Sequence, residues 1–410
     1  MAYQTDSLII GAGQAGLAMS RCLTDRGIEH VVLDRGAVAG RWRTERWASL
    51  RLLTPNWMTR LPGYAYDGAD PRGFMHKDQV TAMLARYARS FEAPVREFTD
   101  VISVRKVSRG FRVVTDGPTY LARSVVVATG ACDQPNIPAW ASALPTRIAQ
   151  VTTKDYVHPD QLGQGGVLVV GGSATGVQLA EEIQRSGRQV TLASGSHVCL
   201  PRRYRGRDIL RWMDLSGILA EARDSARPTP KHPSLQLIGD TRPRNIGLDT
   251  VRSEGVRVVS RALGVDGDTL RLSGDLRVQM QTAGKRCQRL LARIDGFIAE
   301  SGAEARPERA YSPPPPPKDE PDCIDLSDIE TVIWATGFRR SYPWLDLPVT
   351  DTDGELMQSG GMTAVPGLYA LGLPFMRRRN STFIDGVGAD ARDLAVNLSN
   401  HLGHATARAA

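Results

Sequence analysis

The sequence predicts an α/β fold with two similar domains, the second inserted into the middle of the first. Three observations support this prediction. A glycine-rich turn follows an apolar run at 11–16, and a second such turn follows another apolar run at 171–176. A further apolar run, ending in glycine, returns late in the chain at 367–372. Because a returning strand pairs with a sheet already built, we expect the first domain to be discontinuous.

Residues 7–34 form the first strand–turn–helix–strand unit. Gly11 is placed to make the tight turn, Gly13 to let a pyrophosphate approach the backbone, and Gly16 to let the helix pack on the sheet. The helix N-terminus offers free N–H groups to phosphates. Asp34 lies 23 positions after Gly11 (34 minus 11), where a carboxylate can accept hydrogen bonds from a ribose diol. The unit predicts an adenine dinucleotide rather than a purely structural turn.

The second unit departs from the first at two positions. Ser173 replaces the middle glycine of the turn that runs from Gly171 to Gly176. Ser194, again 23 positions after the first glycine (194 minus 171), replaces the carboxylate. The basic residues that follow are His197, Arg202, Arg203 and Arg205. Loss of the carboxylate removes repulsion of a 2′-phosphate, so this unit favours NADPH over NADH, although a structural duplicate that binds nothing stays an alternative.

Hydrophobic periodicity and glycine or proline punctuation predict the remaining elements. Predicted helices cover 17–26, 77–91, 177–186, 207–219, 276–300 and about 389–402. Predicted strands cover 7–10, 31–34, 101–104, 111–114, 124–128, 167–170, 189–193, 256–259, 263–265, 269–272, 331–334 and 367–371. Two strands end in Ala-Thr-Gly, at 128–130 and 335–337, where small residues permit close approach of a cofactor. The prolines at 313–317 predict a stiff exposed connector.

Net charge, cysteine spacing and hydropathy argue against several classes of function. The net charge is +7 (51 basic minus 44 acidic residues), but the densest basic clusters, 202–207 and 377–379, lie beside cofactor-type motifs. Anionic cofactors therefore explain the surplus better than nucleic acid does. The five cysteines form no CxxC pair, which excludes a redox disulfide of that type and argues against a metal site. The absence of a long apolar run and of a basic leader predicts a cytoplasmic protein that does not bind membranes.

Two turns in one chain predict two cofactors, FAD in the first domain and NADPH in the second, with hydride transfer to the flavin. The predicted FAD domain comprises residues 1–150 and 331–410, and the predicted NADPH domain comprises 151–330. Within the latter, 208–330 carries no readable chemistry.

The ordered set of motifs resembles the class B flavoprotein monooxygenases, which include the flavin-containing monooxygenases and their plant YUCCA relatives. The resemblance implies two Rossmann-like domains of the three-layer ββα type. It also implies that NADPH reduces FAD, that O₂ adds at the flavin C4a, and that the (hydro)peroxide oxygenates a small organic substrate. By the same resemblance, Asn56 falls about where the family places an asparagine over the flavin; an Asn that caps the turn after Pro55 is the alternative.

The resemblance and the motifs together give the expected cofactor-binding residues. Those expected in the FAD domain are Gly11, Gly13, Gln14, Ala15, Gly16, Asp34, Arg35, Gly40, Arg41, Trp42, Thr54, Val101, Ala128, Thr129, Gly130, Thr336, Gly337, Phe383 and Ile384. Those expected in the NADPH domain are Gly171, Ser173, Ala174, Thr175, Gly176, Ser194, His197, Arg202 and Arg203.

One stretch departs from the family pattern. At 147–156 the expected FxG and histidine are missing, and only Tyr156 matches an aromatic position. This keeps open a flavin dehydrogenase or oxidase on the same scaffold, and a non-catalytic nucleotide-binding protein. The oxygenation type, N-, S- or C-oxidation or Baeyer–Villiger insertion, also stays open, as does a homodimer.

Overall fold

The structure, a computed structural model, describes residues 2–223, 234–309, 311–318 and 320–403 of the chain. The α-helices are Gln14–Thr24, Gly40–Thr44, Lys77–Ser90, Ala174–Arg185, Ile209–Leu215, Leu248–Ser253, Leu276–Ser301 and Ile384–Leu402. In these described ranges no helix combines the length and the apolar character that a membrane span requires.

The first sheet takes strands from both ends of the chain. Its strands are Ala2–Ile10, His30–Leu33, Val95–Arg96, Val101–Val107, Gly110–Thr115, Thr119–Val127 and Leu368–Ala370. The long strand Thr119–Val127 pairs antiparallel with Gly110–Thr115 along its first half. Along its second half it pairs in parallel with the returning strand, with Leu368 opposite Val125. The C-terminal segment therefore completes a sheet whose other strands precede residue 128.

The second sheet is entirely parallel. Its strands are Ala149–Thr152, Gly166–Val170, Val190–Ala193, Arg257–Val259 and Ile329–Trp334. Two of them correct the predicted boundaries, because Ala149–Thr152 starts before residue 151 and Ile329–Trp334 ends after residue 330. Each domain has its own Ala-Thr-Gly motif, and the motif at 335–337 follows the last strand of the second sheet. The insertion therefore spans about 149 to 334.

The two connections between the domains lie side by side. Gln134–Pro135 pairs antiparallel with Phe338–Arg339. The Asn136 N–H donates to the Gly337 carbonyl at 2.9 Å, and the Thr336 hydroxyl donates to the Asn136 carbonyl at 2.6 Å. The inserted domain is thus joined to the first by a short two-stranded ribbon.

The stretch after residue 208 forms an extension of the second domain. It contains a small antiparallel sheet of Ala262–Asp266, Thr269–Leu272 and Cys323–Asp325 and the long helix Leu276–Ser301. The helix predicted at 207–219 is shorter, since Ile209–Leu215 ends before Gly217, which has a left-handed φ of 74°. The prolines lie along the long helix, with Pro313 against Gly284.

Candidate active site

The first glycine turn is packed tightly against the sheet. A Cβ on Gly16 would lie 1.8 Å from the Gly11 carbonyl oxygen, and a Cβ on Gly11 would lie 2.5 Å from the Ala128 carbonyl oxygen. Neither position accepts a side chain. Gly13 differs, because no atom of the described residues lies within 4 Å of its Cβ position. Its bare Cα faces open space where a pyrophosphate can approach.

The carboxylate of Asp34 closes over this turn. Its Oδ2 accepts from the Ala12 N–H at 2.6 Å and its Oδ1 from the Gly36 N–H at 2.9 Å. Burial raises the pKa of Asp34, and these two hydrogen bonds oppose that rise. Each carboxylate oxygen keeps a second lone pair, which is what a ribose diol needs. Arg35, the next residue, is more than half exposed.

The helix Gly40–Thr44 contacts the same turn through hydrogen bonds. The indole N–H of Trp42 donates to Gln14 Oε1 at 3.3 Å. Arg41 donates to the Cys132 carbonyl at 3.0 Å and to Asp133 Oδ1 at 2.5 Å. Its guanidinium therefore holds the loop after the long strand and is already engaged by protein acceptors.

The second glycine turn repeats the close approaches of the first. A Cβ on Gly176 would lie 1.7 Å from the Gly171 carbonyl oxygen, and a Cβ on Gly171 would lie 2.3 Å from the Ala335 carbonyl oxygen. Ser173 has φ −79° and ψ −172°, against −82° and −172° at Gly13. The serine thus keeps the backbone conformation of the glycine that it replaces.

Both turns open onto helix N-termini without side-chain caps, at Gln14 and at Ala174. The first-turn N–H groups there are available to phosphate oxygens. At the second turn, the fully buried Gln236 also takes part, since its Nε2 donates to the Gly172 carbonyl at 2.6 Å. Its Oε1 is buried without a hydrogen-bond partner among the described residues. No sequence motif marks this glutamine.

The surroundings of Ser194 and His197 contradict their predicted role in binding a 2′-phosphate. Ser194 is fully buried, and its hydroxyl oxygen would lie 2.0 Å from a Cβ on Gly172, so it fills space instead of leaving room. His197 is 3% exposed, and its Nδ1–H donates to the Gly195 carbonyl at 3.0 Å. Burial lowers the pKa of His197, which favours the uncharged ring.

Arg202 is also excluded as a phosphate reader. It is 1% exposed and binds Asp208 Oδ2 through Nε at 2.8 Å. Its Nη1 donates to the Leu53 carbonyl at 2.7 Å, and its guanidinium lies 4.5 Å from the ring centroid of Phe74. Arg202 therefore joins the extension to the first domain. Sequence spacing placed it beside the turn, but two of its partners, Leu53 and Phe74, are distant in sequence.

Arg261 lies close to the end of the strand that precedes Ser194. It is exposed, and its Nε would lie 2.7 Å from a Cβ on Gly195, directly after the strand Val190–Ala193. The bare Gly195 and the adjacent guanidinium lie at the carboxyl end of the second sheet. Arg203, by comparison, is exposed and donates to the Gly206 carbonyl at 2.7 Å within a local hairpin.

Asn56 presents an unused acceptor. Its Nδ2 donates to the Asp70 carbonyl at 2.8 Å, and its backbone N–H donates to the Gly73 carbonyl at 2.9 Å. The residue is 6% exposed, and its Oδ1 is buried without a partner among the described residues. Because a buried unpaired carbonyl oxygen is costly, this atom is available to a donor on a bound molecule or a water.

The start of the helix Ile384–Leu402 lies beside the segment that carries Asn56. Arg60 contacts Asp385 in the first turn of that helix, and its Nη2 binds Asp214 of the extension at 3.0 Å. Burial raises the pKa of Asp385, and Arg60 opposes that rise. Phe383 packs in one apolar cluster with Met58 and the extension. The arrangement brings the predicted Phe383 and Ile384 close to the Asn56 segment.

Several other predicted residues have a defined place. Thr54 is half-buried on the segment before Asn56. The Val101 side chain is buried in the first-domain core, so only its backbone can face a ligand. Thr336 and Gly337 follow the last strand of the second sheet and lie at the connection between the two domains. Tyr156 is fully buried, and its hydroxyl donates to Glu182 at 3.0 Å.

Comparison with known proteins agrees with this arrangement. A family model described as pyridine nucleotide-disulphide oxidoreductase matches residues 8–207. The chain is 33% identical to an uncharacterized CzcO-like oxidoreductase of Geobacillus kaustophilus, over 98% of this chain and 100% of the relative. It is 27% identical to the indole-3-pyruvate monooxygenase YUCCA1 of Oryza sativa, over 96% of this chain and 91% of the relative.

A solved flavin-containing monooxygenase from Stenotrophomonas maltophilia shares the fold, with a TM-score of 0.69 at 20% identity over 97% of this chain and 99% of that one. Fold and site together define a flavoprotein oxidoreductase with two dinucleotide sites. The chain belongs to the class B flavoprotein monooxygenase family, whose members use FAD and NADPH.

The residues present fit these cofactors. Gly13 offers an uncovered approach, Asp34 offers carboxylate lone pairs, and Asn56 offers an unpaired acceptor. At the second turn, Gln236 and Arg261 offer an acceptor and a cation.

Proposed function

We propose that this chain is an NADPH-dependent FAD monooxygenase that uses O₂ to oxygenate a small organic substrate. The oxygenation is of the N-, S- or C-oxidation or Baeyer–Villiger type. The observation that carries the proposal is the buried, unpaired Oδ1 of Asn56, on the segment whose Met58 shares an apolar cluster with Phe383. An amide fixed in this way is suited to position an oxygen-bearing group, which hydride transfer alone does not require.

Bound FAD supplies hydride acceptance from NADPH and oxygen activation. The first turn binds the pyrophosphate of FAD, and Asp34 accepts hydrogen bonds from its ribose. The Asp70 carbonyl fixes the amide of Asn56, which leaves its Oδ1 free to accept a hydrogen bond from a bound molecule. The apolar cluster that the extension shares with Met58 excludes water from this side. A cytoplasmic homodimer remains a prediction from the sequence.

Turnover under ¹⁸O₂ tests the proposal, with an NADPH-oxidation screen across amines, sulfides, ketones and indolic acids. We expect one ¹⁸O atom in the product for each NADPH that is productively oxidised. Asn56→Ala should keep NADPH oxidation but lower the product per NADPH about tenfold or more, with hydrogen peroxide making up the difference.

FAD content and the unfolding midpoint of Asn56→Ala serve as controls, because the substitution also removes the bond to Asp70. A wild-type product without ¹⁸O contradicts the proposal and supports a flavin dehydrogenase or oxidase. Purified protein that is colourless and takes up no FAD contradicts both and supports a non-catalytic nucleotide-binding protein.

We further propose that the guanidinium of Arg261 binds the 2′-phosphate of NADPH. Loss of a charge-assisted contact is worth roughly 1.5–3 kcal/mol, so Arg261→Ala should weaken NADPH binding about tenfold or more and leave NADH binding nearly unchanged. Arg203→Ala is the matched control, since Arg203 is equally exposed but bonded within its own hairpin. Dissociation constants for both nucleotides give the comparison. Equal losses for NADPH and NADH in Arg261→Ala would show that the phosphate lies elsewhere.

A further inference from the structure

Two cysteines that are distant in sequence meet where the extension contacts the second domain. Cys199 ends the short strand Val198–Cys199, and Cys287 lies in the helix Leu276–Ser301. The strand and the helix pack against each other, and both cysteine side chains belong to one apolar cluster. The Tyr311 hydroxyl donates to Cys199 Sγ across 3.8 Å. A search for CxxC spacing misses this pair, because 88 positions separate the two residues (287 minus 199).

The two thiols have different surroundings. Cys287 is 1% exposed within an apolar cluster, whereas Cys199 is half-buried at its edge. The neighbouring Cys287 thiol lowers the pKa of Cys199 to about 7, with a smaller contribution from Tyr311, while burial and Asp249 oppose the change. The same contact and burial raise the pKa of Cys287. Cys199 therefore has the accessible thiolate, and Cys287 is the protonated partner beside it.

We propose that Cys199 and Cys287 form a peroxide-responsive dithiol that closes to a disulfide. The Cys199 thiolate attacks hydrogen peroxide, so that an S–O bond forms, the O–O bond breaks and hydroxide leaves to take up a proton as water. The Cys287 thiol then attacks the resulting sulfenic acid, an S–S bond forms, the S–O bond breaks, and the Cys287 proton leaves with that oxygen as a second water. Two thiols lose two electrons, and one peroxide becomes two waters.

The dithiol is connected to the second glycine turn. Cys199 pairs with Gln236 in a two-stranded parallel ladder, and Gln236 donates to the Gly172 carbonyl at 2.6 Å. A disulfide to the long helix would fix the strand that supports this glutamine. The proposal therefore includes a change in NADPH affinity on oxidation, and this second part rests on the proposed function.

Thiol mapping of the full chain tests the disulfide. Reduced protein is treated with hydrogen peroxide, alkylated and digested without reductant. We expect a peptide that joins Cys199 to Cys287, with three of the five cysteines alkylated (5 minus 2). Cys287→Ser should instead carry a sulfenic acid at Cys199 that dimedone traps. Cys323→Ser, which removes an exposed thiol, should form the disulfide as before. Five alkylated cysteines, or oxidation confined to Cys323 and Cys132, would overturn the proposal.

The affinity for NADP⁺ tests the link to the turn. We expect the dissociation constant to change about fivefold or more on oxidation, to recover with dithiothreitol, and to stay constant in Cys287→Ser. An unchanged constant in protein that carries the disulfide would overturn the link. Reduced protein that does not bind NADP⁺ would contradict the proposed function, and the disulfide mapping would still decide the dithiol.

Discussion

Gly16→Ala is expected to abolish FAD binding and to leave the purified protein colourless. The new Cβ would lie 1.8 Å from the Gly11 carbonyl oxygen, which is far inside van der Waals contact. The helix Gln14–Thr24 must then move away from the sheet. Its first-turn N–H groups would no longer point toward the pyrophosphate. Flavin absorbance per protein and FAD titration measure the effect.

Gly176→Ala is the matched substitution in the second turn, where the Cβ would lie 1.7 Å from the Gly171 carbonyl oxygen. This variant should remain yellow but lose reduction by NADPH. Gly13→Ala separates binding from folding, because its Cβ meets no atom of the described residues within 4 Å. We expect Gly13→Ala to unfold at the wild-type midpoint and still bind FAD poorly.

The pair of glycine variants also tests which turn holds which cofactor. Loss of flavin in Gly176→Ala, together with retained flavin in Gly16→Ala, would reverse the assignment. Retained flavin in both, in protein with a native circular dichroism spectrum, would show that neither turn is needed for FAD.

Arg202→Met is expected to destabilise the protein by about 3 kcal/mol or more, because it breaks a buried ion pair and leaves a carboxylate without its partner. Asp208 would keep only its hydrogen bond to the Leu210 N–H, and the Leu53 carbonyl would lose its donor. Burial lowers the pKa of Arg202, and Asp208 keeps the guanidinium charged. The urea midpoint and the unfolding slope measure the loss.

Arg203→Met is the control, since this neighbouring side chain is exposed and its substitution should change stability by less than about 0.5 kcal/mol. The ratio of NADPH to NADH affinity should be the same in both variants and in the wild type. A selective loss of NADPH binding in Arg202→Met, without destabilisation, would restore Arg202 as a phosphate reader.

Much of the fold could be predicted from the sequence, because both dinucleotide units are local. Strand, turn, helix and strand follow one another within about 30 residues in each unit, so spacing alone reveals them. The returning strand at Leu368–Ala370 was also predictable, as an apolar run that needed a partner. These features depend on short-range patterns that the chain displays directly.

Helix starts were predicted too late where glycines lie inside the helix. The last helix begins at Ile384 and contains Gly386 and Gly388. A Cβ on Gly386 would lie 2.0 Å from the Asn380 carbonyl oxygen, and one on Gly388 would lie 3.0 Å from Pro62. Low helix propensity made these residues look like a loop, but close packing is what requires them.

The surroundings of the basic residues near the second turn and the structure of the extension could not be predicted, because their contacts join distant parts of the chain. Arg202 binds the Leu53 carbonyl, and Arg261 reaches Gly195 from the end of another strand. Nothing in the spacing of the basic residues distinguishes a buried arginine from an exposed one. Only the assembled sheet edge shows which guanidinium faces open space.

The ribbon of Gln134–Pro135 and Phe338–Arg339 has a mechanical consequence. A domain held by two paired strands could twist about that ribbon, but the bond from Arg202 to the Leu53 carbonyl and the ion pair of Arg60 with Asp214 join the extension to the first domain. Breaking the bond from Arg202 to Leu53 alone costs roughly 1.5–3 kcal/mol. This cost lowers the population of a form in which the inserted domain has rotated away from the first roughly ten- to a hundredfold. If the nicotinamide reaches the flavin with the two domains held in this way, turnover should tolerate a chemical crosslink between them.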